Sequence, residues 1–130
     1  MANATAITVT DMAANSSTAN PTADVLDTGT AAVTLAADIK GESERVILQV
    51  TNTAAANLTV KALAGDNPPA QRAGLGDFTS GNIAQNGVLY LGPFESARFI
   101  HDDGKIRFTF TPASGTIACN FRCFKLPKRV

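Results

Sequence analysis

The 130-residue sequence has little of the residue types on which most enzymes and metal proteins depend. It contains no tryptophan, one tyrosine, one histidine and two cysteines. Only His101 or a carboxylate could act as a general base, and we interpret His101 as an exposed or half-buried residue beside a turn. Neither a zinc-type ligand spacing nor a phosphate-binding loop is present. The sequence therefore predicts a protein that is not an enzyme and uses no cofactor or metal.

Long apolar runs are also missing. No stretch reaches the roughly 18 to 20 apolar residues of a membrane-spanning helix, and the first residues lack the pattern of a secretory signal. We therefore expect that the protein is made in the cytoplasm and does not associate with membranes. Cys119 and Cys123 lie in one predicted strand, roughly 13 Å apart at about 3.3 Å per residue. That separation is too long for a disulfide, so we predict two small, buried apolar side chains.

Basic residues are absent from the first quarter of the chain, and the first of them is Lys40. The 11 basic and 11 acidic residues balance, which argues against a nucleic-acid partner bound by neutralising phosphates. The charges are nevertheless segregated: four basic and nine acidic residues precede Arg98, and seven basic and two acidic residues follow from Arg98 onward. Two explanations of this segregation stay open: the acidic and basic parts could pair within one chain or between copies of it.

Residues 1–37 are rich in alanine, threonine, asparagine and serine. This composition predicts an extended N-terminal arm, with one short strand in which Ile7 and Val9 alternate with threonine. Such a strand could add to the edge of a sheet. The remaining residues, 38–130, are assigned to one β-sandwich domain.

Alternating apolar and polar residues predict seven or eight strands over the whole chain, counting the short one in the arm. The runs 44–52 and 57–63 are predicted to pair antiparallel across a short turn. The runs 95–101 and 105–110 flank Asp103-Gly104, a hairpin dipeptide, and are predicted to pair in the same way. This pattern is typical of an all-β fold, either an antiparallel β-sandwich of jelly-roll-like or immunoglobulin-like type or a small barrel.

Between Gly65 and Gly81 lies a long connection rich in glycine and proline. Loops of this length are usually functional or disordered. Asp66 and Asp77 flank the connection and could in principle bind a cation, although no EF-hand spacing is present. Three arginines at polar strand positions could form a basic stripe, but no aromatic residues alternate with them as they would in a platform for single-stranded nucleic acid. We favour ion pairs between strands or subunits for Arg98, Arg107 and Arg122.

The turn motifs from Arg45 to Pro127 resemble those of a family of small β-proteins from tailed bacteriophages, which includes capsid decoration (cement) proteins. The resemblance rests on Val50-Thr-Asn-Thr, Val60-Lys-Ala, Gly65-Asp-Asn-Pro-Pro-Ala, Gly74-Leu-Gly-Asp, Leu91-Gly-Pro-Phe-Glu-Ser-Ala-Arg-Phe-Ile, Asp103-Gly and Leu126-Pro. The last strand departs from the plainer strand expected there, because it carries Cys119, Phe121, Cys123 and Phe124. Residues before Ala37 lie outside the resemblance.

This resemblance implies a structural protein of the virion, made in the host cytoplasm and located on the capsid exterior. Its expected partner is the major capsid protein, and its expected state is a homotrimer at threefold or quasi-threefold positions that staples neighbouring capsomers. Two alternatives stay open: a tail-tube or head-to-tail joining protein, and a carbohydrate-binding module with only Tyr90 available for stacking. The candidate capsid or intersubunit contacts are Ile7, Val9, Asp24, Asp27, Asp38, Asp66, Arg72, Asp77, Arg98, Arg107 and Arg122.

Overall fold

The computed structural model describes residues 4–27, 31–66 and 74–127. The protein is all-β and consists of two packed sheets, which confirms the predicted sandwich-like fold. Within the described ranges no helix has the length and hydropathy needed to cross a membrane.

The first sheet has the order β1-β9-β4-β7, and β2 also pairs with β9. Its strands are β1 (Val9–Asp11), β2 (Asp24–Asp27), β4 (Val46–Asn52), β7 (Val88–Leu91) and β9 (Ala118–Lys125). The second sheet has the order β3-β8-β5-β6. Its strands are β3 (Val33–Asp38), β5 (Leu58–Ala62), β6 (Phe78–Thr79) and β8 (Lys105–Pro112). A 3₁₀ turn (Ser43–Arg45) precedes β4, and one helical turn, α1 (Ser96–Phe99), lies between β7 and β8.

Phenylalanine rings from both sheets fill the core. Phe110 of β8 stacks on Phe121 of β9 with ring centroids 4.9 Å apart, and this contact joins the two sheets. The Phe94 ring makes edge contacts with Phe108 and Phe99, with ring centroids 5.4 and 5.5 Å apart. Such aromatic pairs contribute about 0.5–1.5 kcal/mol beyond the apolar area that they bury.

The two cysteines of β9 face this core. Cys119 and Cys123 are both free and buried, as the sequence predicts. Burial raises the pKa of both thiols to about 12, and for Cys123 the charge of Asp24 adds to the effect. Neither thiol therefore has the character of a nucleophile.

The predicted pairing of 44–52 with 57–63 is wrong, because β4 and β5 lie in different sheets. The buried side chain of Asn52 holds the crossing between them: its Nδ2 donates to the carbonyl oxygens of Ala56 and Ile83, each at 2.8 Å. Its Oδ1 accepts a hydrogen bond from the Ala54 amide at 3.0 Å. The chain thus passes from one sheet to the other where a hairpin turn was expected.

The predicted strand at 95–101 is also wrong, since this segment contains α1. Phe94 and Phe99 are both buried and in edge contact, although their spacing of five residues would place them on opposite faces of a strand. A helical turn brings both rings into the core. The Asp103-Gly104 turn is present, with the Gly104 amide donating to His101 at 2.9 Å, but it does not join two paired strands.

The N-terminal segment is part of the sandwich in this structure. The Ile7 amide donates to the carbonyl of Ala36 in β3 at 3.0 Å, and β1 then pairs in parallel with β9. β2 pairs with the other end of β9, and β3 is a full strand of the second sheet. The segment therefore covers one edge of the sandwich, called the closed edge here, which comprises β1, β2, β3 and β9. The opposite edge, comprising β6 and β7, is called the open edge.

Candidate interaction surface

Exposed apolar side chains concentrate at the open edge. Phe78 of β6 is 42% exposed, Val88 and Tyr90 of β7 are 50% and 63% exposed, and Leu75, which leads into β6, is 54% exposed. Leu126 is the only other large hydrophobic residue with comparable exposure in the described part of the chain. Clustered exposed apolar residues mark interaction sites more often than scattered ones do.

Tyr90 and Val88 project from the outer face of the first sheet, because exposure alternates along β7 and Leu91 is buried. The Tyr90 hydroxyl accepts a hydrogen bond from Gln49 Nε2 at 2.9 Å. Gln49 Oε1 in turn accepts one from Arg122 Nη1 at 3.1 Å, and Arg122 Nε donates to the Pro21 carbonyl at 2.8 Å. This line of contacts orients the tyrosine ring on the outer face.

A recess of about 300 Å³ lies beside the end of β7. Gly92 has a φ of +116°, and a Cβ there would lie 2.4 Å from the Val46 carbonyl oxygen, so the chain turns there only with glycine. The Arg98 guanidinium lies 4.7 Å from the centre of the Phe99 ring and donates to the Gly76 carbonyl at 3.3 Å. The lining residues are Phe78, Gly92, Pro93, Phe94, Glu95, Arg98 and Phe99. A recess with aromatic walls and a charged rim suits one apolar side chain of a partner.

Side-chain hydrogen bonds anchor the described ends of the long connection. Asp66 Oδ1 lies 3.1 Å from His101 Nδ1, and its Oδ2 accepts from the Asp102 amide at 2.7 Å. Asp77 Oδ1 accepts from the Ala64 amide at 2.6 Å. The Asp102 hydrogen bond is the main reason why the pKa of Asp66 is lowered, and His101 adds to the effect. Both carboxylates therefore accept hydrogen bonds from backbone amides at the base of the connection.

One ion-pair cluster joins the acidic and basic parts of the sequence. Glu42 accepts a hydrogen bond from Lys125 Nζ at 2.7 Å and another from Arg45. The pKa of Glu42 is lowered, chiefly by the Lys125 hydrogen bond. Arg45 also donates to the Leu126 carbonyl at 2.9 Å, so the cluster ties the end of β9 to the 3₁₀ turn. At this position opposite charges pair within one chain.

The three candidate arginines do not form a stripe, because each belongs to a different part of the fold. Arg98 lies in α1 at the recess, Arg122 on the outer face of the first sheet, and Arg107 on the second sheet. Arg107 pairs with Asp103 at 2.6 Å, and this contact lowers the pKa of Asp103. The structure therefore separates residues that the strand pattern grouped. Arg72 lies outside the described residues.

The two apolar candidates at the closed edge are engaged within the chain. Ile7 is 4% exposed and bridges to Ala37 of β3, while Val9 is half-buried and pairs with Cys123. An Ile7 side chain in this position belongs to the protein's own core. It reaches a partner only if this segment leaves the closed edge.

The acidic candidates of the N-terminal quarter are spread along the closed edge. Asp24 accepts hydrogen bonds from the Thr8 amide at 2.7 Å and from its hydroxyl at 3.0 Å. Asp27 ends β2 and is exposed, and Asp38 ends β3 in register with Lys105. No group of three or more histidine, cysteine, aspartate or glutamate side chains that could hold a metal ion occurs in the described ranges.

Sequence reasoning missed the open-edge residues. The run Val88–Leu91 is apolar at all four positions, whereas β5 and β8 alternate apolar and polar residues, and this difference was the available clue. The clue is ambiguous because a continuous apolar run is equally typical of a strand buried on both faces. Only the position of β7 at the end of its sheet identifies Val88 and Tyr90 as exposed.

Comparison with known proteins identifies no relative of this chain. A scan against protein-family models, a search of curated proteins and a search of solved structures each find no match for the chain. The open edge, the recess and the sequence resemblance are therefore the observations that bear on its function.

Proposed function

We propose that this protein is a structural component of a tailed-bacteriophage virion: a capsid decoration protein that binds the outside of the shell and stabilises contacts between capsomers. The observation that carries the proposal is the asymmetry of the sandwich. One edge is covered by the chain's own N-terminal segment. The other edge exposes apolar side chains beside a recess. Binding through a small apolar surface is what this asymmetry supports best.

A small surface is sufficient for such a role. A decoration protein occupies many equivalent positions on one shell, so modest contacts repeated over the lattice add up to a large total stabilisation. An icosahedral shell also offers threefold positions, where a homotrimer can engage three capsomers at once. Multivalent binding by a trimer compensates for weak contacts made by each copy. The turn motifs from Arg45 to Pro127 independently favour the same class of protein.

The covered edge also fits a protein displayed at high density. Uncovered sheet edges promote pairing between molecules and aggregation. On this chain β9 is covered by β1 and β2, and β3 is bridged by Ile7. Unwanted association is thereby limited at one edge, and specific binding is directed to the other.

The test uses empty shells assembled from the major capsid protein encoded in the same genome. Purified protein is mixed with expanded shells, and binding is measured by sedimentation through a density gradient. We expect saturable binding, threefold clusters in cryo-electron microscopy, and shells that withstand higher temperature when decorated. Absence of binding at saturating protein would refute the proposal. Rings of six or twelve copies on tails or at the portal vertex would identify a joining or tail-tube protein instead.

A further inference from the structure

The four lateral sheet edges of the sandwich are not equally protected. The strands at the far end of the first sheet, β1 and β2, carry Asp11, Asp24 and Asp27. In the second sheet β3 carries the Ile7 bridge, and β6 is only two residues long. β7 has four residues, Val88–Leu91, and within the described residues no strand pairs with its far side. It contains neither a charged residue nor a proline, the devices with which proteins usually block an edge. β7 is therefore the edge that remains open to another strand.

The backbone of β7 limits what can bind there. β7 pairs antiparallel with β4, and in an antiparallel ladder alternate residues direct their N–H and C=O groups away from the partner strand. An extended segment that runs alongside can satisfy these groups in register. Two alternate residues of such a segment would lie beside Val88 and Tyr90 on the outer face. The complementary occupant is thus an extended segment with uncharged side chains.

The recess described above is continuous with this edge, because it begins at Gly92, directly after β7. Its volume of about 300 Å³ is at the small end of ligand pockets. Phe94 and Phe99 form its floor and are each 5% exposed, while Phe78 forms an exposed wall. An apolar side chain of the added segment would fit this recess and fix the register of the added strand.

The size of the exposed apolar surface decides between two possible occupants of β7, a second copy of this protein and a segment of the shell protein. Leu75, Phe78, Val88 and Tyr90 together expose roughly 350 Å² of side-chain surface, given about 150–250 Å² for a whole aromatic side chain. Stable dimers of standard size bury about 800 Å² on each partner. A second copy bound through β7 alone would therefore be held weakly in solution. A partner that presents the same segment at many lattice positions needs no larger contact.

We infer that β7 is the docking edge for an extended, uncharged segment of the shell protein, which adds a strand to the first sheet and inserts one apolar side chain into the recess. This inference rests on the proposed function. It names the surface and the chemistry of its partner: backbone hydrogen bonds along β7, apolar contacts with Val88 and Tyr90, and a side chain held between Phe78 and Phe99.

The test introduces charge at the edge without disturbing the core. Val88→Lys and Tyr90→Lys change exposed side chains, and Phe78→Ala removes the exposed wall of the recess. Ser114→Lys adds the same charge in the exposed turn between β8 and β9, outside the open edge, and serves as the matched control. Thermal unfolding confirms that each variant is folded. Each protein is then titrated against the shells described above, and its self-association is measured by sedimentation equilibrium.

We expect the two lysine variants at β7 to bind shells about tenfold more weakly or worse, since hot-spot contacts at interface centres have this magnitude. Phe78→Ala should weaken binding several-fold, and Ser114→Lys should bind like the unmodified protein. If unmodified protein binds shells and the β7 variants bind equally well, the inference is overturned while the proposed function survives. If unmodified protein does not bind at all, the proposed function itself fails. If it self-associates and the β7 variants do not, the occupant is a second copy and the inference is overturned.

Discussion

Phe108→Ala tests whether the sandwich is held together as described. Phe108 lies in the middle of β8, the strand flanked by β3 and β5, and its side chain is fully buried. Its ring makes an edge contact with Phe94, with ring centroids 5.4 Å apart. Truncation to alanine therefore removes a ring from the centre of the second sheet.

The expected cost follows from the burial of this side chain. Burying a phenylalanine contributes about 1.5–3 kcal/mol of transfer free energy. The cavity left behind brings the total for Phe→Ala to about 3–5 kcal/mol. For a chain of this length that loss lowers the midpoint of thermal unfolding by about 10–20 °C. Because small domains have only about 5–15 kcal/mol of total stability, the variant should remain folded at low temperature but unfold well before the original protein.

The assay is urea denaturation followed by circular dichroism, with Phe78→Ala as the matched control. Phe78 is 42% exposed, so the same truncation there should cost less than about 1 kcal/mol. If Phe108→Ala fails to fold, Phe108→Leu provides a milder change, because it leaves a smaller cavity than alanine does. Equal losses at positions 78 and 108, or a loss below about 1 kcal/mol at 108, would refute the strand phase and the packing described here.

Three further predictions follow from buried and paired groups. Asn52→Ala should reduce the free energy of unfolding by about 2–4 kcal/mol, because it removes three hydrogen bonds at the crossing from β4 to β5, and denaturant titration measures this. The pKa of Glu42 lies below its ordinary value of 4.5, chiefly through Lys125, so its stabilisation is complete above that pH and is lost as the pH falls through the lowered value. Glu42→Gln should therefore lower the unfolding midpoint at neutral pH and flatten its decline below about pH 5; an unchanged acid profile would contradict the role of this pair. Cys119 and Cys123 should resist Ellman's reagent at pH 8 until urea unfolds the protein, and rapid labelling of the folded chain would contradict their burial and their pKa of about 12.

The alternation of apolar residues was enough to predict which side chains form the core. Leu48 and Val50 in β4, and Phe108 and Phe110 in β8, face inward as their two-residue period predicts. The burial of both cysteines follows from the same period in β9. This part of the fold is local, because the period of a strand depends only on the geometry of its own backbone.

The candidate surface was much less predictable. Charge and loop composition directed attention to the N-terminal quarter, to the long connection and to three arginines. The run of Val88 and Tyr90 carries no charge and no alternation, so the sequence offers no sign of an interaction surface there beyond Tyr90 as a stacking residue for a sugar. Exposure at these two positions depends on β7 lying last in its sheet, which is a property of distant strand pairings.

The sequence by itself determined that the protein is all-β, that its core is built from phenylalanine and aliphatic residues, and that its cysteines are buried. Tertiary structure alone decided that β4 and β5 join different sheets, that Phe94 and Phe99 meet across a helical turn, and that Ile7 covers the closed edge. The physical reason is that a strand pattern states which face is buried but not which strand lies beside it. Backbone hydrogen bonds between strands are nearly the same for any sequence, so the choice of neighbours is made by the packing of the whole core.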